Sequence, residues 1–166
     1  MISIVEDFLS EEENDQLAEV ALSYSKKYEG RGKFEWRSAG DSPLNSYYLN
    51  NIEYPQIVRT FSDRCESTVN KMLEHINHTC KATEIWYNVY DNTQYQEPHT
   101  HGGAMFSLVY FNKLPKGSSK LQFTLDPDEC SFHKERTAVF FVGGLEHFVI
   151  QGTNVDPRIT WSSNYA

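Results

Sequence analysis

Cysteine is scarce in this chain, and the three that occur are scattered. Cys65, Cys80 and Cys130 form an odd set without any Cys-x-x-Cys pair, which predicts neither a disulfide framework nor a cysteine metal site. Long apolar runs are also missing, since none reaches the roughly 18 residues that a membrane span requires. The opening residues lack the basic stretch and apolar segment of a secretory signal. These absences predict a soluble, cytoplasmic protein.

Positive charge is in deficit. The chain has 15 Lys and Arg residues against 23 Asp and Glu residues, for a formal net charge of -8. A surface of this sign does not attract nucleic acid or anionic lipid without specific contacts, so we expect neither as a partner. A local basic pocket for a small anion is compatible with the composition.

The composition that is present indicates one folded, β-rich domain. The 166 residues are 39% hydrophobic and 14% aromatic, which is enough to bury a core. We predict a single domain over 1–166, with a helical support region at 1–80 and a β core at 81–166. Ser10 and Glu13 form a capping-box pattern that starts one helix, and Pro55 can begin a second helix with one apolar stripe.

Short apolar runs separated by turn residues predict the strands. They cover residues 2–5, 82–90, 99–101, 105–112, 121–123, 137–142, 148–150 and 158–164. This spacing favours a mainly β sandwich or jelly roll with the two N-terminal helices packed outside. The stretch 34–51 suits a long loop or two short strands, either as a flap over a site or as a plain surface connection. The charged connection 126–136 predicts an exposed His133.

Two histidines two residues apart suggest a metal site. His99 and His101 would point to one face of an extended strand, and imidazole suits iron, zinc, copper and nickel alike. His147 follows an apolar strand and can supply a third ligand. Three ligands on one side leave positions open on the metal, as a catalytic site requires.

Arg158 and Thr160 place a guanidinium and a hydroxyl on the same face of the last strand. An unpaired guanidinium inside a barrel is costly, and no neighbouring strand offers an obvious internal carboxylate. A bidentate carboxylate ligand would satisfy it.

The ordered histidines and arginine resemble a known pattern. The span 86–164 is similar to the double-stranded β-helix core of the iron(II)/2-oxoglutarate-dependent dioxygenases. The nearest likeness is to the prolyl-4-hydroxylase-like branch and related small proteins common in phage genomes. That family has a His-x-Asp/Glu pair, a distal His and an Arg-x-Ser/Thr in this order. The segments QEPH at 96–99, LVYFN at 108–112, RITWSSN at 158–164 and VEDFLS at 5–10 carry the resemblance.

The resemblance implies a function and assigns residues to it. It implies hydroxylation of a prolyl residue or small metabolite, with decarboxylation of 2-oxoglutarate to succinate. The implied iron(II) ligands are His99, His101 and His147. The implied 2-oxoglutarate-binding residues are Arg158, Thr160, Tyr110, Asn88 and Tyr90. The chain departs from the family at His101, which stands where a carboxylate is usual and leaves the iron complex one unit more positive. Glu97, on the strand parity of His99, is the alternative third ligand.

Three other interpretations stay open. Cupins also use His-x-His on a jelly roll, and residues 144–147 resemble their second motif, but the usual Glu after the His pair is absent from 104–107. Three histidines also suit a zinc hydrolase or lyase that does not use 2-oxoglutarate. A non-catalytic jelly-roll binding module is the non-enzymatic possibility. Neither metal alternative explains the Arg-x-Thr pair.

Overall fold

A computed structural model describes residues 1–28, 52–128 and 131–166. The predicted flap at 34–51 and Cys130 lie outside these residues. The helices are α1 (Glu11–Lys27) and α2 (Gln56–Leu73), the second followed by a short 3-10 turn, Glu74–Ile76. The strands are β1 (Ile2–Val5), β2 (Ala82–Tyr90), β3 (Gln96–His99), β4 (Phe106–Lys113), β5 (Leu121–Phe123), β6 (Thr137–Val142), β7 (His147–Val149) and β8 (Arg158–Tyr165).

The strands form two antiparallel sheets. The larger has the order β1-β6-β4-β8-β2, and the smaller has the order β3-β7-β5. The part of the chain that the structure describes is therefore mainly β with two helices, as predicted. Neither helix in the described part of the chain is long and apolar enough to cross a membrane.

Both helices begin where the sequence predicts. The Ser10 hydroxyl accepts a hydrogen bond from the Glu13 amide, and the Glu13 carboxylate accepts one from the Ser10 amide, so both halves of the capping box form. Pro55 caps α2. The helices bury Leu17 and Phe61 against one face of the large sheet, where they meet Trp161 of β8 and other apolar side chains.

The opposite face of the large sheet packs against the small sheet. Phe111 and Phe141 from the large sheet share this second core with Leu121 and Phe123 of β5. Along β8, successive side chains alternate between the two faces. Trp161 therefore faces the helices, whereas Arg158 lies beside Phe111, between the sheets.

Four strands have bounds that differ from the prediction. Strand β4 is shifted by one residue to Phe106–Lys113, and β8 extends to Tyr165. The other two strands are those beside the histidines. The predicted strand 99–101 is instead Gln96–His99, which ends at the first histidine, and His101 follows in a turn. The strand predicted at 148–150 begins one residue earlier, at His147. His101 keeps a fixed backbone, because its amide donates to the Gly143 carbonyl at 2.8 Å.

Candidate metal and carboxylate site

The three predicted histidines meet at one place between the sheets. His99 at the end of β3 is the register partner of His147 at the start of β7, and His101 reaches the same point from the turn. One ring nitrogen from each lies within 4.8 Å of the other two, and Nε2 of His101 lies 3.3 Å from Nε2 of His147. A separation of 3.3 Å suits two nitrogens that bind one ion at about 2.1 Å each, so the cluster fits a metal ion.

Backbone carbonyls orient two of the rings. Nδ1 of His99 lies 2.7 Å from the Glu97 carbonyl oxygen, and Nδ1 of His147 lies 2.9 Å from that of Leu145. A carbonyl oxygen only accepts, so each Nδ1 carries the proton and donates. The lone pair of each ring is therefore on Nε2, as a metal ligand held by an outer hydrogen bond requires.

The protonation state of the three rings also suits a cation. Burial, followed by the charges of neighbouring histidines, lowers the pKa of His101 to about 4 and that of His147 to about 3. Burial likewise lowers the pKa of His99. The three rings are neutral near pH 7, and only a neutral imidazole can bind metal.

Glu97 does not join the cluster. Among the described residues, only His99, His101 and His147 form a group able to hold a metal ion. Glu97 contributes through its carbonyl, which fixes the His99 ring. The ring of Trp86, on β2, lies 5.9 Å from that of His101 and forms part of the wall.

Arg158 carries a positive charge in the interior of the protein. Its side chain is 1% exposed, and its cation lies 5.7 Å from the ring centre of Tyr90 and 5.9 Å from that of Phe111. Its Nη1 donates to the Thr160 hydroxyl over 3.4 Å, while its buried Nε has no hydrogen-bond partner among the residues that the structure describes. No acidic residue in the described ranges forms a salt bridge with it. Burial lowers its pKa to about 10, so it remains a cation near neutral pH.

Polar side chains of β2 and β8 lie on the face of the sheet that carries Arg158. The Asn88 amide nitrogen lies 3.3 Å from both the Thr160 and the Ser162 hydroxyl oxygens. Asn88, Tyr90 and Thr160 therefore share the face of Arg158, where the sequence placed them. Ser162 was not singled out, although its even spacing from Arg158 on one strand was a usable signal.

The structure contradicts the predicted role of Tyr110. Its hydroxyl donates to Oδ1 of Asn14 on α1 at 2.7 Å, and its ring packs 5.1 Å from that of Phe61. Tyr110 thus lies on the helix-facing side of the sheet. Because strand side chains alternate, the neighbouring Phe111 is the one that faces Arg158.

His133 was predicted to be exposed and is half-buried instead. Its Nε2 donates to the Ser119 carbonyl at 3.0 Å, and its ring lies edge-on to Phe111 at 5.1 Å. Burial, with a further contribution from the Arg158 charge, lowers its pKa to about 4. The polar composition of 126–136 gave no signal for this packing.

Acid should destabilise the protein partly through His133. Its pKa is lower in the folded chain than its ordinary value of 6.5, so the unfolded chain binds more protons below about pH 6.5 and stability falls as pH drops toward 4. The variant His133→Gln should lose less melting temperature than the parent between about pH 7 and about pH 5. Thermal unfolding in chelator checks this. Equal losses in both proteins would contradict it.

No protein-family profile matches the sequence, and no curated protein matches it either. Solved structures do match. A viral collagen prolyl hydroxylase from Paramecium bursaria Chlorella virus-1, in complex with 2OG, aligns over 99% of this chain and 94% of its own, with a TM-score of 0.67 and 16% identity. A Trichoplax adhaerens prolyl hydroxylase, in complex with a hypoxia inducible factor peptide fragment, aligns over 99% and 82%, with a TM-score of 0.75 and 14% identity.

A third matching structure is that of an enzyme with a different reaction. The non-heme alpha-ketoglutarate-dependent epimerase SnoN from nogalamycin biosynthesis aligns over 99% of this chain and 77% of its own, with a TM-score of 0.71 and 12% identity. Identities this low establish a shared fold. The fold is shared by prolyl hydroxylases and an epimerase, so the fold alone does not determine the reaction.

Proposed function

We propose that this chain is an iron(II)/2-oxoglutarate-dependent dioxygenase that hydroxylates its substrate. Its two sheets would form a double-stranded β-helix, or jelly roll, within one domain over 1–166. His99, His101 and His147 would hold the iron, and Arg158 with Thr160 would bind the distal carboxylate of 2-oxoglutarate. Membership of the phage-type branch stays a prediction.

Arg158 is the observation that carries this proposal. The described residues give this buried guanidinium no acidic partner, which costs folding free energy, and an anionic ligand would offset that cost. Arg158 lies beside Phe111, and His147 lies beside Phe141, and both rings belong to the core between the two sheets. A dicarboxylic oxo acid has one end suited to a metal and another suited to a guanidinium, so one such molecule would use both parts of the site.

The residues around the cosubstrate would orient it and exclude water. With iron(II) and 2-oxoglutarate bound, the site would supply oxidation by O₂, in which one oxygen atom enters the substrate as a hydroxyl and the other enters succinate as CO₂ leaves. Arg158 donates from a fixed planar fork, and Asn88 holds the Thr160 hydroxyl beside it. The Phe111 ring forms an apolar wall, which strengthens these charged hydrogen bonds.

The substrate would be a prolyl residue in a peptide or a small metabolite. The hypoxia inducible factor fragment bound by the Trichoplax structure supports a peptide. The formal net charge of -8 favours a neutral or cationic substrate over an acidic one.

The proposal predicts binding of iron(II) and 2-oxoglutarate together, followed by turnover. Anaerobic titration with both should produce a visible charge-transfer absorption, and admitting air should yield succinate. Pyruvate, an oxo acid without the distal carboxylate, is the matched control and should bind at least about tenfold more weakly, because it cannot reach Arg158. If neither the absorption nor succinate is seen, the dioxygenase proposal fails. Tight zinc binding without any affinity for 2-oxoglutarate would favour the three-histidine zinc alternative.

A further inference from the structure

The three histidines differ in what holds the second nitrogen of the ring. Nδ1 of His99 and Nδ1 of His147 face carbonyl oxygens, whereas Nδ1 of His101 lies 3.2 Å from the amide nitrogen of Asn164 on β8. A carbonyl oxygen accepts a proton and an amide nitrogen donates one. Nδ1 of His101 therefore accepts a hydrogen bond, whereas Nδ1 of His99 and Nδ1 of His147 each donate one.

Two further contacts assign the orientation of the Asn164 amide. Its Nδ2 lies 2.8 Å from Oε2 of Glu84, and its Oδ1 lies 2.9 Å from the hydroxyl oxygen of Ser107. A carboxylate can only accept, so the Asn164 group that faces Glu84 must be the donating nitrogen. The same nitrogen then donates to Nδ1 of His101, while the Ser107 hydroxyl donates to the Asn164 oxygen.

This network determines the tautomer of His101. Because its Nδ1 accepts, the ring proton is on Nε2, which points at Nε2 of His147 over 3.3 Å. His147 can accept there, since its own proton is on Nδ1 and bonds to the Leu145 carbonyl. Every hydrogen bond in the network that runs from Glu84 through Asn164, His101 and His147 to Leu145 thus has one donor and one acceptor. In this network the lone pair of His101 is on Nδ1, away from the cluster.

We propose that Asn164, held by the Glu84 carboxylate, is a positioning residue that sets the tautomer of His101 and so weakens it as a metal ligand. This inference rests on the proposed metal site. Binding through Nε2 of His101 requires the proton on Nδ1, and Asn164 must then turn its oxygen toward the ring. That turn sets the oxygen against Glu84, whose exposed side chain has to move into solvent.

The requirement is a consequence of having histidine at position 101. A carboxylate at this position has no tautomers, so its binding to metal would not depend on which end of the Asn164 amide faces it. The Ser107 hydroxyl tolerates either orientation, because it can donate or accept. Glu84 is therefore the member of the network that favours one orientation over the other.

Imidazole nitrogen NMR tests the tautomer directly. In ¹⁵N-histidine-labelled protein with chelator, we expect His99 and His147 to carry the proton on Nδ1 and His101 to carry it on Nε2. Adding Zn²⁺ should move the His101 proton to Nδ1. A proton on Nδ1 of His101 in chelator would overturn this inference and leave the proposed function standing. If Zn²⁺ changes none of the three rings, the metal site itself fails, and the proposed function with it.

The affinity for Zn²⁺, measured by calorimetry, gives a second test with an unambiguous sign. A Gln side chain at position 84 can face either end of the Asn164 amide, so Glu84→Gln should raise the affinity by about tenfold, the low end of what outer partners of metal-bound histidines contribute. If Glu84 acted only through its charge, the same change would lower the affinity. A lower or unchanged affinity would overturn the inference.

Glu146→Gln is the matched control. The Glu146 carboxylate accepts from the Thr124 hydroxyl, and its charge partly offsets the lowering of the His99 pKa by burial, but it does not contact Asn164. Removing this charge should lower the Zn²⁺ affinity slightly. In a His101→Asp background, Glu84→Gln should no longer raise the affinity, and a rise that persisted there would also count against the tautomer account.

Discussion

Arg158→Ala is expected to weaken 2-oxoglutarate binding by about tenfold or more, while leaving metal affinity nearly unchanged. A hydrogen bond to a charged group contributes about 1.5–3 kcal/mol, and each 1.4 kcal/mol is a factor of ten in affinity. Arg158→Lys should recover only part of the loss, because an ammonium group cannot reproduce the planar fork. Anaerobic titration of each iron-loaded variant with 2-oxoglutarate measures the effect.

Thermal stability distinguishes a ligand-binding arginine from a structural one. Without ligand, Arg158→Met should melt no lower than the parent, and we expect it to melt higher, because an apolar side chain of similar length replaces a buried charge that has no acidic partner within 1–28, 52–128 and 131–166. Arg59→Ala, on the exposed face of α2, is the control and should leave 2-oxoglutarate binding unchanged. Unchanged affinity in Arg158→Ala, together with a large drop in the melting temperature of Arg158→Met, would show that Arg158 has a structural partner instead.

His147→Leu should cause the largest loss of metal affinity in this chain. Mutating the outer partner of a metal-bound histidine costs about 10- to 100-fold, so removing the ligand itself should cost more than about 100-fold. Leucine keeps the site apolar and fills most of the volume beside Phe123 and Phe141, so the fold should survive. Calorimetry with iron(II) under anaerobic conditions or with Zn²⁺ checks the affinity, and circular dichroism checks the fold.

His133→Leu is the matched control for this measurement. Like His147, His133 has a hydrogen bond to a carbonyl and packs against a phenylalanine ring, but it lies outside the histidine cluster. Its replacement should leave metal affinity within about twofold, the scale of a small indirect effect. Equal losses in the two variants would mean that the measured binding does not occur at His99, His101 and His147.

Local signals in the sequence were sufficient for the helices and most strands. The capping box at Ser10 and the proline at position 55 place both helix starts, because each acts through neighbouring residues only. The strand around His99 was predicted three residues too late. A Pro-containing polar segment gives little alternation to read, and its strand character comes from pairing with β7.

The same distinction between local sequence signals and tertiary contacts applies to the site. The order of the histidines along the chain predicted that they meet, and the structure brings them together. The burial of Arg158 was predicted from its place on the last strand. The roles of these residues stay predictions. Tyr110 could not be placed reliably, since a shift of one residue reverses every side chain on a strand and β4 has an irregularity beside β8 after Phe111. The contact of Asn164 with Glu84 joins residues 80 positions apart, and only tertiary structure reveals it.

The position of β8 in the sheet has a consequence for how the chain acquires its structure. Strand β8 is the last described strand in sequence, yet it lies between β4 and β2, and both bond to it rather than to each other. A nascent chain therefore carries two open strand edges until residues 158–165 emerge. Pairings this distant in sequence have high contact order and form slowly, and unpaired edges invite aggregation. Premature termination before β8 should leave an insoluble product in which the histidines are present but Arg158 and Asn164 are missing.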